Sequence, residues 1–395
     1  MDQTFTSEIE ELKGAGLYRE LKSISGPIDA EVSIDGRKVI LLSSNNYLGL
    51  TTHPKLKEAA SLALQAYGTG ACASRLIAGN MEVHEDLEKR VARFKGCQSA
   101  LLFSTGYMAN IGAITSLAGE NDLVLSDELN HASIIDGCKL SGARIEVYPH
   151  KDVRKIKEIL AKEVMSYPMN LSKKKVIITD GVFSMDGDIA PLPEIMEVAN
   201  HYSATLIVDD AHATGVLGKD GKGTAAYFGI EGENLIHMGT FSKALGSLGG
   251  YIAGQKTVIE YLRNKARSFM FSTALPPSVC ASSIAAIDII KDEPWIRKRL
   301  WDNVTKFKQG LESFGYNTLG SQTQIIPILI GDTNLTMEFA KAIFERGIYA
   351  PGIRPPTVPN KKSRIRTTLM ASHTDEQIER ALDIFEDEGK RLQMN

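Results

Sequence analysis

Residues 205–215 read TLIVDDAHATG. An apolar run of strand length ends in two acidic residues, Asp209 and Asp210, with His212 close behind and Gly215 marking a turn. This is the pattern of a buried strand whose carboxyl end opens on a crevice. Similar runs precede it: SALLF (99–103), DLVLSD (122–127), RIEVYP (144–149) and KKVIITD (174–180). Stretches with helical spacing of apolar residues stand upstream, KLKEAASLALQAYG (55–68) and HEDLEKRVARFKG (84–96). Strands apolar on both faces, alternating with helices, predict a mostly parallel sheet covered on both sides. Ligands of such sheets sit beyond the carboxyl ends of the strands.

Outward from this centre, Ile9, Leu12, Leu17 and Leu21 recur at helical spacing and predict a helix over 6–24. EVSIDGRKVILL (31–42) alternates and carries Asp35-Gly36, a hairpin signal. A helical stretch after Pro276-Pro277 leads out of the large domain. WIRKRLWDNVTKFKQGLESFG, QIIPILIG, TMEFAKAIFERG, SRIRTTLM and DEQIERALDIFEDEGKRL then alternate helix and strand again. The expected organisation is an N-terminal helix and hairpin over 1–50, a large domain over 51–288, and a smaller C-terminal α/β domain over 289–395.

The 395 residues, 43% hydrophobic and 24% charged, suffice for a large core and exclude a disordered chain. A net charge of −3 gives no electrostatic reason to expect nucleic acid or an anionic membrane as partner. The four cysteines are scattered and form no C-x-x-C, so neither a disulfide framework nor a metal site is expected. The acidic N-terminus lacks the apolar core of a signal peptide, and no apolar run reaches the ~20 residues of a bilayer span. A cytoplasmic protein is the expectation.

Four motifs carry chemistry. Asp209, at its strand end, could hold a cationic ring nitrogen protonated, or serve as a cap. Lys243 sits in HMGTFSKALGSLGG (237–250), among small and apolar residues where an amine can lose its proton and attack an aldehyde. The residues between Asp209 and Lys243 have room for one helix and one strand, enough to set the two across one crevice. Ser104-Thr105-Gly106-Tyr107 joins a strand to a helix start, the arrangement that binds phosphate through free amides. His131, in SDELNHASIIDG (126–137), opens a helix and could stack on a planar ligand, move protons, or be structural.

Together with SSNNYLGL (43–50), GTGACASRLIAGN (68–80) and DGVFSMDGDIAPL (180–192), these motifs resemble the α-oxoamine synthase family of pyridoxal 5′-phosphate (PLP) enzymes. The resemblance covers nearly the whole chain and implies the fold-type-I, aspartate aminotransferase-like architecture. It implies that Lys243 holds the cofactor and later removes a substrate proton, while Asp209 keeps the ring nitrogen protonated. His212 and Ser184 would contact the phenolic oxygen side, and His131 would stack on the ring. Gly106, Tyr107 and Thr240 would hold the phosphate, with Ser272 and Thr273 reaching the phosphate of a partner subunit in a homodimer. Asn45 and Arg366 would meet the amino-acid carboxylate, and Arg19 and Thr357 would touch substrate. Arg364 and Arg366 alternate on one strand, so one of them could be a solvent-face charge.

IYAPGIRPPTVP (348–359) resembles the branch that joins L-alanine to pimeloyl-CoA, or to a pimeloyl-carrier protein, in biotin biosynthesis. A sister branch, using glycine and acetyl-CoA, is the alternative. A non-enzymatic module binding a phosphate ligand at the same turns is the alternative of another class, although no Walker A sequence is present.

Overall fold

The computed structural model describes residues 2–14, 17–166 and 174–393. The chain begins with α1 (Asp2–Gly14), then β1 (Ile24–Ser25), β2 (Glu31–Ile34) and β3 (Arg37–Leu41). Two helices, α2 (Pro54–Tyr67) and α3 (Glu82–Lys95), lead to β4 (Ser99–Phe103) and α4 (Gly106–Leu117). Strand and helix then alternate: β5 (Leu123–Asp127), α5 (Ala132–Ser141), β6 (Arg144–Tyr148), α6 (Val153–Ser166), β7 (Lys175–Asp180), α7 (Leu192–His201) and β8 (Thr205–Asp209). After α8 (Thr224–Phe228) come β9 (Leu235–Thr240), β10 (Gly250–Gly254), α9 (Lys256–Lys265), α10 (Arg267–Met270) and α11 (Pro277–Asp292). The C-terminal part holds α12 (Pro294–Ser313), β11 (Ile325–Gly331), α13 (Thr333–Glu345), β12 (Ile348–Tyr349), β13 (Gly352–Ile353), β14 (Ser363–Thr368) and α14 (Asp375–Arg391).

Seven strands form the central sheet in the order β4-β10-β9-β8-β7-β5-β6, all parallel except β10. Their side chains alternate between two cores. Val176, Ile178 and Ile207 join the layer that contains α4, α5 and α9, whereas Ile177, Leu206 and Val208 join the layer of α6 and α7. That double burial is why these strands read as continuous apolar runs. A mostly parallel sheet covered on both faces is the α/β architecture the sequence predicts, and a smaller antiparallel sheet, β11-β14-β13, lies near the C-terminus.

The hairpin expected at Asp35-Gly36 is present, both residues having positive φ (50° and 80°) as a two-residue primed turn requires. Its strand β3 pairs in parallel with β12, so the N-terminal hairpin and a C-terminal strand form a third sheet, β1-β2-β3-β12, separate from β11-β14-β13. The N-terminal helix is shorter than its periodicity predicts. It ends at Gly14, and the Leu17 and Tyr18 amides turn back to the Leu12 carbonyl. Gly14, a poor helix former, outweighs the apolar spacing of Leu17 and Leu21, which lie exposed. Among the described residues no helix is long and apolar enough to cross a membrane.

Candidate active site

The residues named from the sequence converge where the parallel strands end. β8 delivers Asp209, β9 Thr240, and β4 the turn Ser104–Gly106, while His131 follows the end of β5. A cleft of about 230 Å³ opens there, lined by Gly106, Tyr107, His131, Ser184, Asp209, His212, Thr240 and Lys243 together with Asn110 and Asp180. A larger hollow of about 360 Å³ lies beside Arg75, away from this chemistry, and there Glu88 and Asn80 already occupy the Arg75 guanidinium.

At one end of the cleft, Thr105 caps α4 by accepting from the Met108 amide at 3.1 Å. The Gly106 and Tyr107 amides of that first turn are left to face a ligand, as an anion site requires. Glycine at position 250 permits this packing, since a Cβ there would fall 2.7 Å from Gly106 Cα. Thr240 Oγ1 donates to the Gly249 carbonyl at 2.6 Å and lies 2.7 Å from Ser242 Oγ.

Asp209 is 3% exposed and accepts from the Ala211 amide at 2.8 Å and from Asn110 Nδ2 at 2.7 Å. Each carboxylate oxygen thus accepts one hydrogen bond, and a carboxylate has lone pairs left over for a cationic group in the cleft. Asp180, its register partner on β7, accepts the backbone N–H of His131 at 3.0 Å. Burial, and then the Asp209 charge, push the Asp180 carboxyl well above the usual carboxylate range.

Burial pulls the Lys243 amine below its ordinary value; Asp209 and Asp180 oppose that shift and Arg366 adds to it. An amine so placed offers its lone pair at a lower pH than a surface lysine does. His212 is buried beside Tyr47, whose hydroxyl lies 2.6 Å from Nδ1, and Gln324 Nε2 donates to the His212 carbonyl at 2.9 Å. Burial first, and then the charges of Lys243 and Arg366, hold its imidazole neutral.

Arg366 is 7% exposed; Nε donates to the Ser184 carbonyl at 2.6 Å and Nη2 reaches Asn45 Oδ1 at 3.4 Å. Arg364, two residues earlier on β14, donates to Asp186 Oδ1 at 2.6 Å and is also buried. Neither arginine is a solvent-face charge: residues two apart on a strand share a face, and here that face meets the 184–186 loop. The other side of that loop is held by His150, whose ring nitrogens lie 3.0 Å from Asp127 Oδ1 and 2.9 Å from Asp188 Oδ2. Burial opposes protonation there, but the two carboxylates win and push the imidazole up to about 9.

Other expected residues stand apart. Ser272 and Thr273 border a separate crevice near Ser104, whose hydroxyl donates to the Thr273 carbonyl at 2.8 Å. Arg19 and Thr357 are exposed and do not line the cleft; the Thr357 amide closes a turn on the Arg354 carbonyl at 3.1 Å. Conversely, Asn110, Ser133, Asp180 and Tyr47 belong to the site without having been singled out. Asn110 carried a signal: it lies one helical turn after Gly106, on the same face of α4. The others lay inside motifs already quoted, with nothing in their spacing to mark them.

The residues fit PLP: free helix amides for a phosphate, a buried carboxylate for a ring nitrogen, and a lysine with a depressed proton affinity, all lining one cleft. Comparison with known proteins agrees. The aminotransferase class I and II family profile matches residues 37–385. The chain is 49% identical over 393 residues to the 8-amino-7-oxononanoate synthase of Citrifermentans bemidjiense, covering 99% of both chains. It is 48% identical over 392 residues to that of Geotalea daltonii, covering 99% of this chain and 98% of the relative. Among solved structures, the serine palmitoyltransferase of S. paucimobilis with bound PLP and myriocin superposes with a TM-score of 0.92 at 31% identity, covering 99% of this chain and 98% of that one. With likeness of this extent, and a cleft of this chemistry, the chain belongs to the class I and II aminotransferase family, in its α-oxoamine synthase group.

Proposed function

We propose that this chain is a PLP-dependent acyltransferase that condenses L-alanine with a pimeloyl thioester, releasing CO2 and the free thiol and yielding 8-amino-7-oxononanoate for biotin biosynthesis. One observation carries the reaction type: Lys243, with its lowered proton affinity, lines the same cleft as the buried Asp209 and the open amides of α4. Identity of 48–49% along the whole chain, against 31% for the palmitoyltransferase, favours the synthase branch.

When bound, PLP supplies an electron sink for negative charge developing at the substrate Cα. Lys243 would hold the cofactor's aldehyde carbon through Nζ and, once displaced by substrate, take the Cα proton on that same amine. Asp209 would keep a ring nitrogen protonated through a charge-assisted hydrogen bond. The Gly106 and Tyr107 amides and the Thr240 hydroxyl would anchor the phosphate. Ser184 and His212 would face the phenolic oxygen, and His131 would cover the ring. Arg366, with Asn45, would orient the amino-acid carboxylate through its planar fork. Arg19 and Thr357 would serve the acyl substrate from outside the cleft, and Ser272 and Thr273 would serve the phosphate site of a second subunit in a homodimer.

The test is a product assay with L-alanine plus pimeloyl-CoA against glycine plus acetyl-CoA, with the pimeloyl-carrier protein as a further donor. Faster turnover of the first pair is expected. Preference for glycine and acetyl-CoA would move the chain to the sister branch. Discrimination between glycine and alanine rests on one methyl, about 1–3 kcal/mol, so measurable cross-reaction is expected.

A further inference from the structure

Four side chains from three separate segments join in one hydrogen-bonded line beneath the cleft. Asn110 Nδ2 donates to Asp209 Oδ2 at 2.7 Å and to Ser133 Oγ at 2.8 Å. Ser133 Oγ lies 2.8 Å from His131 Nδ1, and the Ser133 backbone N–H donates to the same nitrogen at 3.2 Å. Asn110 and Ser133 are each 1% exposed, so water does not compete for these bonds.

The direction of every bond follows from the anion at the end of the line. A carboxylate has only lone pairs to offer, so Asn110 must turn its nitrogen toward Asp209; reversed, its oxygen would face the negative charge. Both Nδ2 hydrogens are then used, one on Asp209 and one on Ser133 Oγ. The Ser133 hydroxyl hydrogen is left for His131 Nδ1, which already accepts from the Ser133 amide. A ring nitrogen that receives two donors keeps its lone pair, and the imidazole proton sits on Nε2. Because His131 caps α5 through that same Nδ1, protonating it would also break the helix cap.

The charged groups around the ring bear on this choice from every side. Asp180 at the end of β7 accepts the His131 amide, Asp209 stands at the end of β8, Lys243 follows β9, and His212 lies across the cleft. Burial disfavours a second proton on His131, Asp209 favours one, and Lys243 opposes it, with the balance below the ordinary histidine value.

The geometry points to Asn110 and Ser133 as positioning residues that lock His131 into its neutral Nε2–H form, a fixed hydrogen-bond donor toward the cleft, and tie that form to the anionic state of Asp209. This rests on the PLP reading above. It makes His131 a donor of fixed polarity, and leaves the movement of the Cα proton to Lys243.

Two measurements test it. In apoprotein labelled with 15N-histidine, the His131 ring nitrogens should report a neutral Nε2–H tautomer across pH 6–9. In the holoenzyme, Ser133→Ala should bring a His131 ionisation into the acid limb of the pH profile of kcat/KM at a higher pH than in wild type, because Nδ1 loses one donor. The variant's kcat below that pH should fall roughly 5- to 10-fold, the worth of one hydrogen bond, with the KM for the amino acid nearly unchanged. Asn110→Ala should weaken PLP binding by a similar roughly 5- to 10-fold, read from the visible absorbance of the complex. A protonated His131 or an Nδ1–H tautomer in the wild type would overturn the proposal. So would variants that keep both the wild-type pH profile and the wild-type PLP affinity. If the variants fail to fold, judged by circular dichroism, the wild-type spectrum decides alone. A wild-type protein that forms no coloured complex with PLP would overturn the cofactor reading instead, which separates the two failures.

Discussion

Asp209 and Asp210 are neighbours in the chain, yet they serve opposite faces of the sheet and opposite purposes. Asp209 meets Asn110, the Ala211 amide and the cleft that Lys243 lines. Asp210 points the other way, to Lys95 Nζ at 2.8 Å and to the Thr224 hydroxyl at 2.5 Å and amide at 3.1 Å. Each acid thus has a lysine, but the lysines differ. Lys95 and Asp210 are sealed together, 1% and 0% exposed at their side chains. Burial works against the Lys95 charge, but the contact with Asp210 outweighs it and raises its proton affinity. Lys243 has no direct ion pair among the described residues, burial wins, and its proton affinity falls. A satisfied pair holds structure, whereas an incompletely satisfied one keeps chemical potential for a ligand.

The sharpest way to break this contrast is to remove each lysine. Lys243→Ala should lower turnover at least about 10⁴-fold, with the fold intact by circular dichroism. Near-normal activity would refute the assignment. Lys95→Ala should instead cost about 3–5 kcal/mol in urea unfolding by stranding the Asp210 carboxylate, while the surviving folded molecules still form the coloured PLP complex. Thr224→Val, which removes one hydroxyl from Asp210, should cost about 1.5–3 kcal/mol in the same assay. A loss of PLP binding without a loss of stability in that variant would erase the division between the two faces.

The mildest test is pH. Lys243 loses its proton in the folded state below its ordinary 10.5, so the rate at which apoprotein takes up PLP should rise with pH to a midpoint under that value. Folding is penalised by its burial below the folded value and relieved as pH climbs toward 10.5. Lys95 has the opposite sign: its stabilising contribution is complete below 10.5 and is lost only as pH rises through its higher folded value. In unfolding experiments Lys243→Ala and Lys95→Ala should therefore differ from wild type in opposite directions at neutral pH, and both differences should shrink as pH rises.

Much of the site was legible along the chain because strand ends in an α/β sheet are where ligands bind, and each strand end bears its polar residue next to an apolar run. TLIVDDAHATG marked Asp209, SALLFSTGY marked the open helix start, and GTFSKALG marked the lysine. Helix length at the N-terminus was less legible, because Gly14 acts against a periodicity that continues past it. The solvent-face alternative for Arg364 and Arg366 also failed, since only the position of the 184–186 loop shows what their common face meets.

The sequence alone marked the apolar runs that become β4 to β8 and the polar residues at their ends, since strands buried on both faces are apolar along their whole length. Tertiary structure decided which face became the cleft. Lys95 and Thr224 reach Asp210, and Asn110 reaches Asp209, only after α3, α4 and α8 pack on their respective sides of the sheet. Burial and partnership at such distances along the chain set the proton affinity of each group, and no local pattern encodes them.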